Sequence, residues 1–199
     1  MKKLRLFLFA LGLLTVFVMP VTFANNLYQV NLIVFKHMSA LHSENWKHEF
    51  LKPDLKYTIE LTEPNEPSNA YTLLPENKRG LRTEASILRR HHYQVLLYVS
   101  WVQEIKRAKY MRWVHIFGGN LYGQNIHELD GCIKISRNRF FNVNTKLYLT
   151  LPQSALRHFG SSLQTFHLIE NRRTALNKIN YLDHPLFGML VQITPYAAL

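Results

Sequence analysis

The feature that most constrains this chain is the alternation in its C-terminal half. In "FFNVNTKLYL" (140–149), Phe141, Val143, Leu147 and Leu149 alternate with Asn142, Asn144 and Lys146. A period of two places the apolar set on one face of a strand and the polar set on the other, so this segment can bury one side only. The same pattern recurs in "GCIKIS" (131–136), with Ile133 and Ile135 on one face, and in "MLVQIT" (189–194), with Met189, Val191 and Ile193 inward. "LQTFHLIENRR", "NKINYL" and "MLVQIT" then read as a three-strand meander with turns at Thr174–Asn177 and Asp183–Gly188. "PQSALRHF" (152–159) suits a short helix with Pro152 in its first turn.

Two further segments, "YQVNLIVF" (28–35) and "YQVLLYVS" (93–100), agree at five of eight positions and carry the β-branched and aromatic content of buried strands. Before the second, Leu81, Ala85 and Leu88 fall at i, i+4 and i+7, the spacing of a helix with one apolar face, while Arg82, Arg89 and Arg90 make its outer side basic. Strand, helix, strand predicts that the two YQV strands lie parallel in one sheet. Residues 36–75 are polar and punctuated by "TEPNEPSN" (62–69), a long surface excursion. "KRAKYMRW" (106–113) reads as a basic connector and "FGGNLYGQN" (117–125) as a Gly/Asn loop. The fold class expected is α+β: a mostly antiparallel sheet, one main helix and the C-terminal meander.

The first 24 residues are expected to be a secretory signal peptide. Lys2, Lys3 and Arg5 precede an apolar run from Leu6 to Pro20, and cleavage is expected after Ala24. The run is short of the roughly 20 residues a membrane span needs, so a retained anchor is not expected. Residues 25–199 are then expected to form a single exported α+β domain. Loss of Lys2, Lys3 and Arg5 takes the formal charge from +11 to +8. An exported basic domain meets wall polymers, lipid head groups or acidic glycans rather than nucleic acid, although surplus charge also serves solubility alone.

Candidate chemistry is sparse. Cys132 follows Gly131, but Asp130 rather than a histidine precedes them, and Cys132 sits in a strand pattern, which favours an inert thiol. Glu128 and Asp130 stand two apart in "HELDG", as compatible with a strand entry as with a catalytic pair. The close histidine pairs are His37/His42, His91/His92 and His115/His127, with His167/His184 across the meander; none has the spacing of a zinc motif. No catalytic set, metal or cofactor is expected. Arg172 and Arg173 are adjacent near a strand end, so one faces each side of the sheet. Their forks suit carboxylates or phosphates, or close ion pairs with Glu170 or Asp183. Trp46, Trp101 and Trp113, with Tyr28, Tyr93 and Tyr181, offer flat faces for sugars or fill the core. In "YLDHPLFGMLVQITP", Pro185 cannot donate to a ladder and Gly188 can take positive φ. Asp183, Pro185 and Gly188 are therefore expected to define a hairpin turn, Asp183 by accepting backbone N–H groups, with His184 a ligand candidate.

Taken in order, "YQVNLIVF", "YQVLLYVSWVQ", "HIFGG", "ELDGCIKISRNRFF", "ENRR" and "YLDHPLFGMLVQITP" resemble the CsiV family of gammaproteobacterial envelope proteins. The resemblance spans about residues 28–195, and its most specific part is the C-terminal block. It implies a periplasmic, non-enzymatic, peptidoglycan-binding protein with a link to chitin-responsive signalling through a membrane sensor kinase. The motif positions that carry over are Arg172, Arg173, Tyr181, Asp183, His184, Pro185 and Gly188. One departure is Asn142, where the family pattern has a histidine. The ligand-contact set expected is Arg172, Arg173, Tyr181, His184 and Trp101, for peptidoglycan or another anionic envelope polymer. The alternative is an adaptor that contacts a membrane sensor protein and no glycan.

Overall fold

The structure, a computed structural model, describes residues 27–38, 50–61, 71–123, 125–152 and 163–196. The expected signal peptide with its cleavage point at Ala24, Trp46 and the helix expected after Pro152 lie outside the described residues. The strands are β1 (Leu27–His37), β2 (Thr58–Ile59), β3 (Tyr71–Leu73), β4 (Tyr93–Glu104), β5 (Trp113–Tyr122), β6 (Ile126–Arg137), β7 (Phe141–Pro152), β8 (Leu163–Thr174), β9 (Ile179–His184) and β10 (Phe187–Pro195). Helix α1 spans Arg82–Arg90 and is the only α-helix of the described residues. The strands form two five-stranded sheets, β3-β4-β1-β10-β9 (sheet A) and β2-β5-β6-β7-β8 (sheet B). Only the short β2–β5 pairing is parallel. The α+β, mostly antiparallel reading therefore holds in outline.

The core lies between the sheets. Val30, Leu32 and Val34 of β1 and Met189, Val191 and Ile193 of β10 meet Ile133 and Ile135 of β6 and Val143, Leu147 and Leu149 of β7, all essentially without solvent contact. Burial of this kind stabilises by about 25 cal/mol per Å² of apolar surface removed from water. β1 is buried on its other face too, because Ile33 and Phe35 pack beneath Leu81, Ala85 and Leu88 of α1. That double burial explains the unbroken apolar run Leu32–Phe35. The helix is held where its N-terminal loop meets sheet A: Asn31 Oδ1 accepts the Gly80 N–H (3.1 Å) and the Ser100 hydroxyl (2.7 Å).

Three sequence expectations change. β1 and β4 are antiparallel, with His37 opposite Tyr93 and Leu27 opposite Glu104. The polar segment after β1 ends in β3, which pairs near the far end of β4 (Tyr71 opposite Gln103), so α1 returns the chain to the end where β1 finished. β5 continues through most of the Gly/Asn segment to Tyr122, because Gly119, at φ +71°, accommodates a register shift within the strand pair. The C-terminal meander is only partly realised. β9 and β10 form a hairpin, but β8 pairs along its whole length with β7 in sheet B, so the chain changes sheets between Thr174 and Ile179.

Candidate functional site

The outer face of sheet B follows from the alternation that buries its inner face. With Val114, Ile133, Val143 and Leu168 inward, the register places Trp113, Lys134, Asn144 and Asn171 in one outward row. The neighbouring row holds His115, Cys132, Lys146 and Ile169, and on the other side Ser136, Asn142 and Arg173 align. Ile169 is 59% exposed, and Lys146, Asn171 and Arg173 are also open to solvent. Helix α1 lies on sheet A, away from this face. Part of the face is covered all the same, since Cys132 and Ser136 are each 2% exposed and Phe50, Leu51 and Pro53 lie beside Asp130.

Cations on this face rest on aromatic rings. The Lys134 and Lys146 ammoniums sit 4.7 and 5.1 Å from the Trp113 ring centre. Arg173 and Arg139 lie 4.5 and 5.6 Å from that of Phe140. Asn144 and Asn171 continue the row of Trp113 and Lys134, and Asn142 shares the row of Arg173. Each cation–ring contact contributes on the order of 0.5–1 kcal/mol at an exposed site, enough to bias a long side chain toward one position. The face thus combines four cations, two aromatic rings and the amides of Asn142, Asn144 and Asn171. Asn142 lies within it and donates to the Phe140 carbonyl at 3.2 Å.

The arginine pair divides as its spacing requires. Arg173 faces outward, whereas Arg172 turns the other way and pairs with Glu170 at 2.6 Å. That ion pair is the structural alternative read from the sequence. Trp101 is fully buried in the core, its indole N–H donating to Gln103 Oε1 at 2.6 Å, so its faces are not open to a sugar. Tyr181 is 45% exposed on the outer face of sheet A, stacked 6.1 Å from Phe35, and its hydroxyl donates to Asp183 Oδ1. Burial first, then the Asp183 carboxylate, raise its pKa well above the usual phenol value.

The hairpin turn is tighter than expected, and two roles are exchanged. His184 pairs with Phe187, which leaves Pro185 and Leu186 as the turn. The acceptor across it is His184 Nδ1, which takes the Leu186 N–H at 3.2 Å. Asp183 instead faces Tyr181 and lies 3.8 Å from His37 Nε2. Gly188 belongs to β10 and is not among the positive-φ glycines. It is needed for space: a Cβ there would stand 2.7 Å from Tyr181 Cε2 and 2.9 Å from Phe35 Cζ, the two rings that close over it.

The four groups weighed for catalysis occupy separate surroundings. Glu128 is fully buried and paired with Lys36 of sheet A. Asp130 Oδ1 accepts from His115 Nε2 at 2.8 Å on the outer face of sheet B. Asp183 and His184 point to opposite faces of β9, as adjacent strand residues do. The hydrogen bond to Asp130 raises the His115 pKa, with burial opposing it. His115 Nδ1 meets Glu60 at 3.7 Å, so both ring nitrogens face carboxylates and not the Cys132 thiol. Burial pushes that thiol up, away from the thiolate a nucleophile needs. Among the described residues no three His, Cys, Asp or Glu side chains group as a metal site. His184 is drawn below its usual pKa, by burial first and then by His167.

Comparison with known proteins adds the deciding observation: a family model described as "Peptidoglycan-binding protein, CsiV" matches residues 6–196. The chain belongs to this family. No curated protein and no solved structure matches it. No helix of the described residues is long and apolar enough to cross a membrane. Within this CsiV-family chain, sequence reasoning named Arg173 and Trp113 but missed Lys134, Lys146 and Phe140 as their companions. The outward set Asn142, Asn144 and Lys146 was the available signal, because residues two apart on neighbouring paired strands build one surface.

Proposed function

We propose that the protein is a non-enzymatic, periplasmic binder of peptidoglycan and that the outer face of sheet B is its contact surface. The observation that carries this reading is the pairing of Lys134 and Lys146 with Trp113, and of Arg139 and Arg173 with Phe140, on one face of sheet B. Peptidoglycan is an acidic polymer of sugars and short peptides. Ammonium and guanidinium groups already biased by aromatic rings meet its carboxylates with less loss of side-chain freedom than free surface lysines. The asparagine amides offer both donors and acceptors to sugar hydroxyl and N-acetyl groups. Membership of a family described as peptidoglycan-binding supports the ligand class. The division of Glu128, Asp130, Asp183 and His184 among separate surroundings supports binding over hydrolysis, because glycoside cleavage normally needs two carboxyl groups flanking one bond.

The test is sedimentation of residues 25–199 with purified sacculi. Wild-type protein is expected in the pellet at low salt and increasingly in the supernatant as salt rises. Lys134→Gln/Lys146→Gln/Arg173→Gln is expected to weaken pelleting at least tenfold, while Arg172→Ala, whose partner is Glu170, leaves it unchanged. Wild-type protein that stays in the supernatant at low salt overturns the reading. A second reading, an adaptor for a membrane sensor protein, draws on Ile179 and Tyr181, both exposed on β9 at the edge of sheet A. It predicts salt-insensitive crosslinking to an inner-membrane protein, lost in Tyr181→Ala, with no pelleting.

A further inference from the structure

A second cationic site lies on the opposite side of the molecule, where α1 crosses sheet A. There a cleft of about 420 Å³ is lined by Glu76, Asn77, Arg82, Ala85, Arg89 and Tyr98. The Arg79 and Arg89 guanidiniums stand 5.7 and 5.8 Å from the Tyr98 ring centre. The Tyr98 hydroxyl feels the fields of Arg79, Arg82 and Arg89 against the single carboxylate of Glu76. Two guanidiniums share one ring with a third, that of Arg82, near by, and none of the three forms an ion pair among the described residues.

The cleft is also rigidly built. Tyr98 donates through its hydroxyl to the Gly80 carbonyl (2.8 Å), and Arg79 donates back to the Tyr98 carbonyl (3.0 Å). The Gly80 N–H is held by Asn31 and Ser100 from sheet A. Arg82 is anchored on the carbonyls of Glu76 and Asn77. Arg89 differs, because it lines the cleft over Tyr98 and makes no hydrogen bond to the described residues. A surplus of positive charge in a concave, preorganised setting, with one uncommitted guanidinium, suits an anionic ligand.

We propose that this cleft binds the carboxylate end of a short acidic peptide, bidentate on Arg89, with Glu76 opposite to receive the peptide's ammonium group. In the wall, that ligand is a free stem peptide; this identity rests on the peptidoglycan reading above, whereas the site itself does not. Concavity selects a chain end that can enter over a bilayer, which presents its phosphates as a flat surface. The planar guanidinium fork matches a carboxylate in two parallel hydrogen bonds.

The experiment is titration of residues 25–199, followed by amide NMR shifts, with the synthetic stem tripeptide Ala–γ-Glu–diaminopimelate. Shifts are expected at Gly80, Tyr98 and the α1 amides, and they should vanish when the peptide carboxylates are amidated. Arg89→Ala is expected to weaken binding about tenfold, the loss of one charge-assisted pair. Arg89→Lys should recover only part of it, because an ammonium cannot grip both oxygens. Arg89 is exposed and its contact with the Tyr98 ring is a weak one at the surface, so both variants should stay folded and melt close to the wild-type temperature. Absence of tripeptide binding, with sacculi still pelleted, overturns this inference and leaves the sheet-B reading standing. Tripeptide binding indifferent to Arg89→Ala overturns it too. So does Arg89-dependent binding to phosphatidylglycerol vesicles without any response to the peptide.

Discussion

The buried pair Lys36–Glu128 ties the two sheets together and offers a sharp test of how this fold is held. Lys36 belongs to β1 and is 6% exposed; Glu128 belongs to β6 and is 0% exposed. The ammonium donates to Glu128 Oε1, and Glu128 Oε2 also accepts the Asn120 N–H at 3.0 Å. Removing one partner leaves a charge in a region with little water, at a cost of about 3–5 kcal/mol. Lys36→Met and Glu128→Leu should each fall in that range, which for a domain of this size lowers the melting temperature by roughly 10 °C. The double variant Lys36→Met/Glu128→Leu strands no charge and joins the apolar core around it, so it should lie within about 1 kcal/mol of wild type. Urea unfolding followed by tryptophan fluorescence, to which buried Trp101 contributes, measures all four proteins, with equal denaturant slopes confirming that they unfold alike. If the double variant loses the sum of the two single losses, the reasoning is refuted: the side chains would then matter for shape and not for charge.

Two further outcomes follow from the β9–β10 hairpin. Gly188→Ala should destabilise by about 1–3 kcal/mol, as overpacking does, because its Cβ would enter the space shared by Tyr181 and Phe35; Gly188→Ala/Tyr181→Ala, with one ring removed, should regain much of the loss in the same unfolding assay. His184 has a folded pKa below its unfolded value, so its contribution to stability is present above the unfolded value near 6.5 and is lost as pH falls toward and through the folded value. Protonation of Nδ1 also removes the acceptor for the Leu186 N–H. The protection factor of the Leu186 amide, its exchange rate taken against the intrinsic rate at each pH, should therefore fall between about pH 7 and 5. A protection factor constant over that range would contradict the assignment.

Much of this fold could be read from burial patterns along the chain. The alternation Phe141–Leu149 marked a strand with one wet face, and sheet B has that face. The i, i+4, i+7 set Leu81, Ala85 and Leu88 marked a helix that buries one side, and those residues now cover Ile33 and Phe35. The adjacency of Arg172 and Arg173 required opposite faces, and one pairs with Glu170 while the other lies over Phe140. Each of these is a local property: side-chain direction depends on two or three backbone angles and repeats with the period of the element.

What the chain could not declare locally was partnership. The strand–helix–strand order of β1, α1 and β4 looked parallel because β3, three residues long and beyond a long polar segment, carries the chain to the far end of β4 first. β8 looked like the first strand of a meander, yet its full-length register lies with β7, and no pattern within β8 distinguishes one sheet from another. In the C-terminal block, composition marked a turn around Pro185. The tertiary structure assigned its acceptor to His184, gave Asp183 to Tyr181, and made Gly188 a matter of room for two rings. The same holds for the proposed binding face: Trp113, Lys134, Lys146, Phe140 and Arg173 are scattered over some sixty residues and meet because strand pairing sets them side by side. Local sequence determines which way a side chain points; only long-range pairing decides what it points beside.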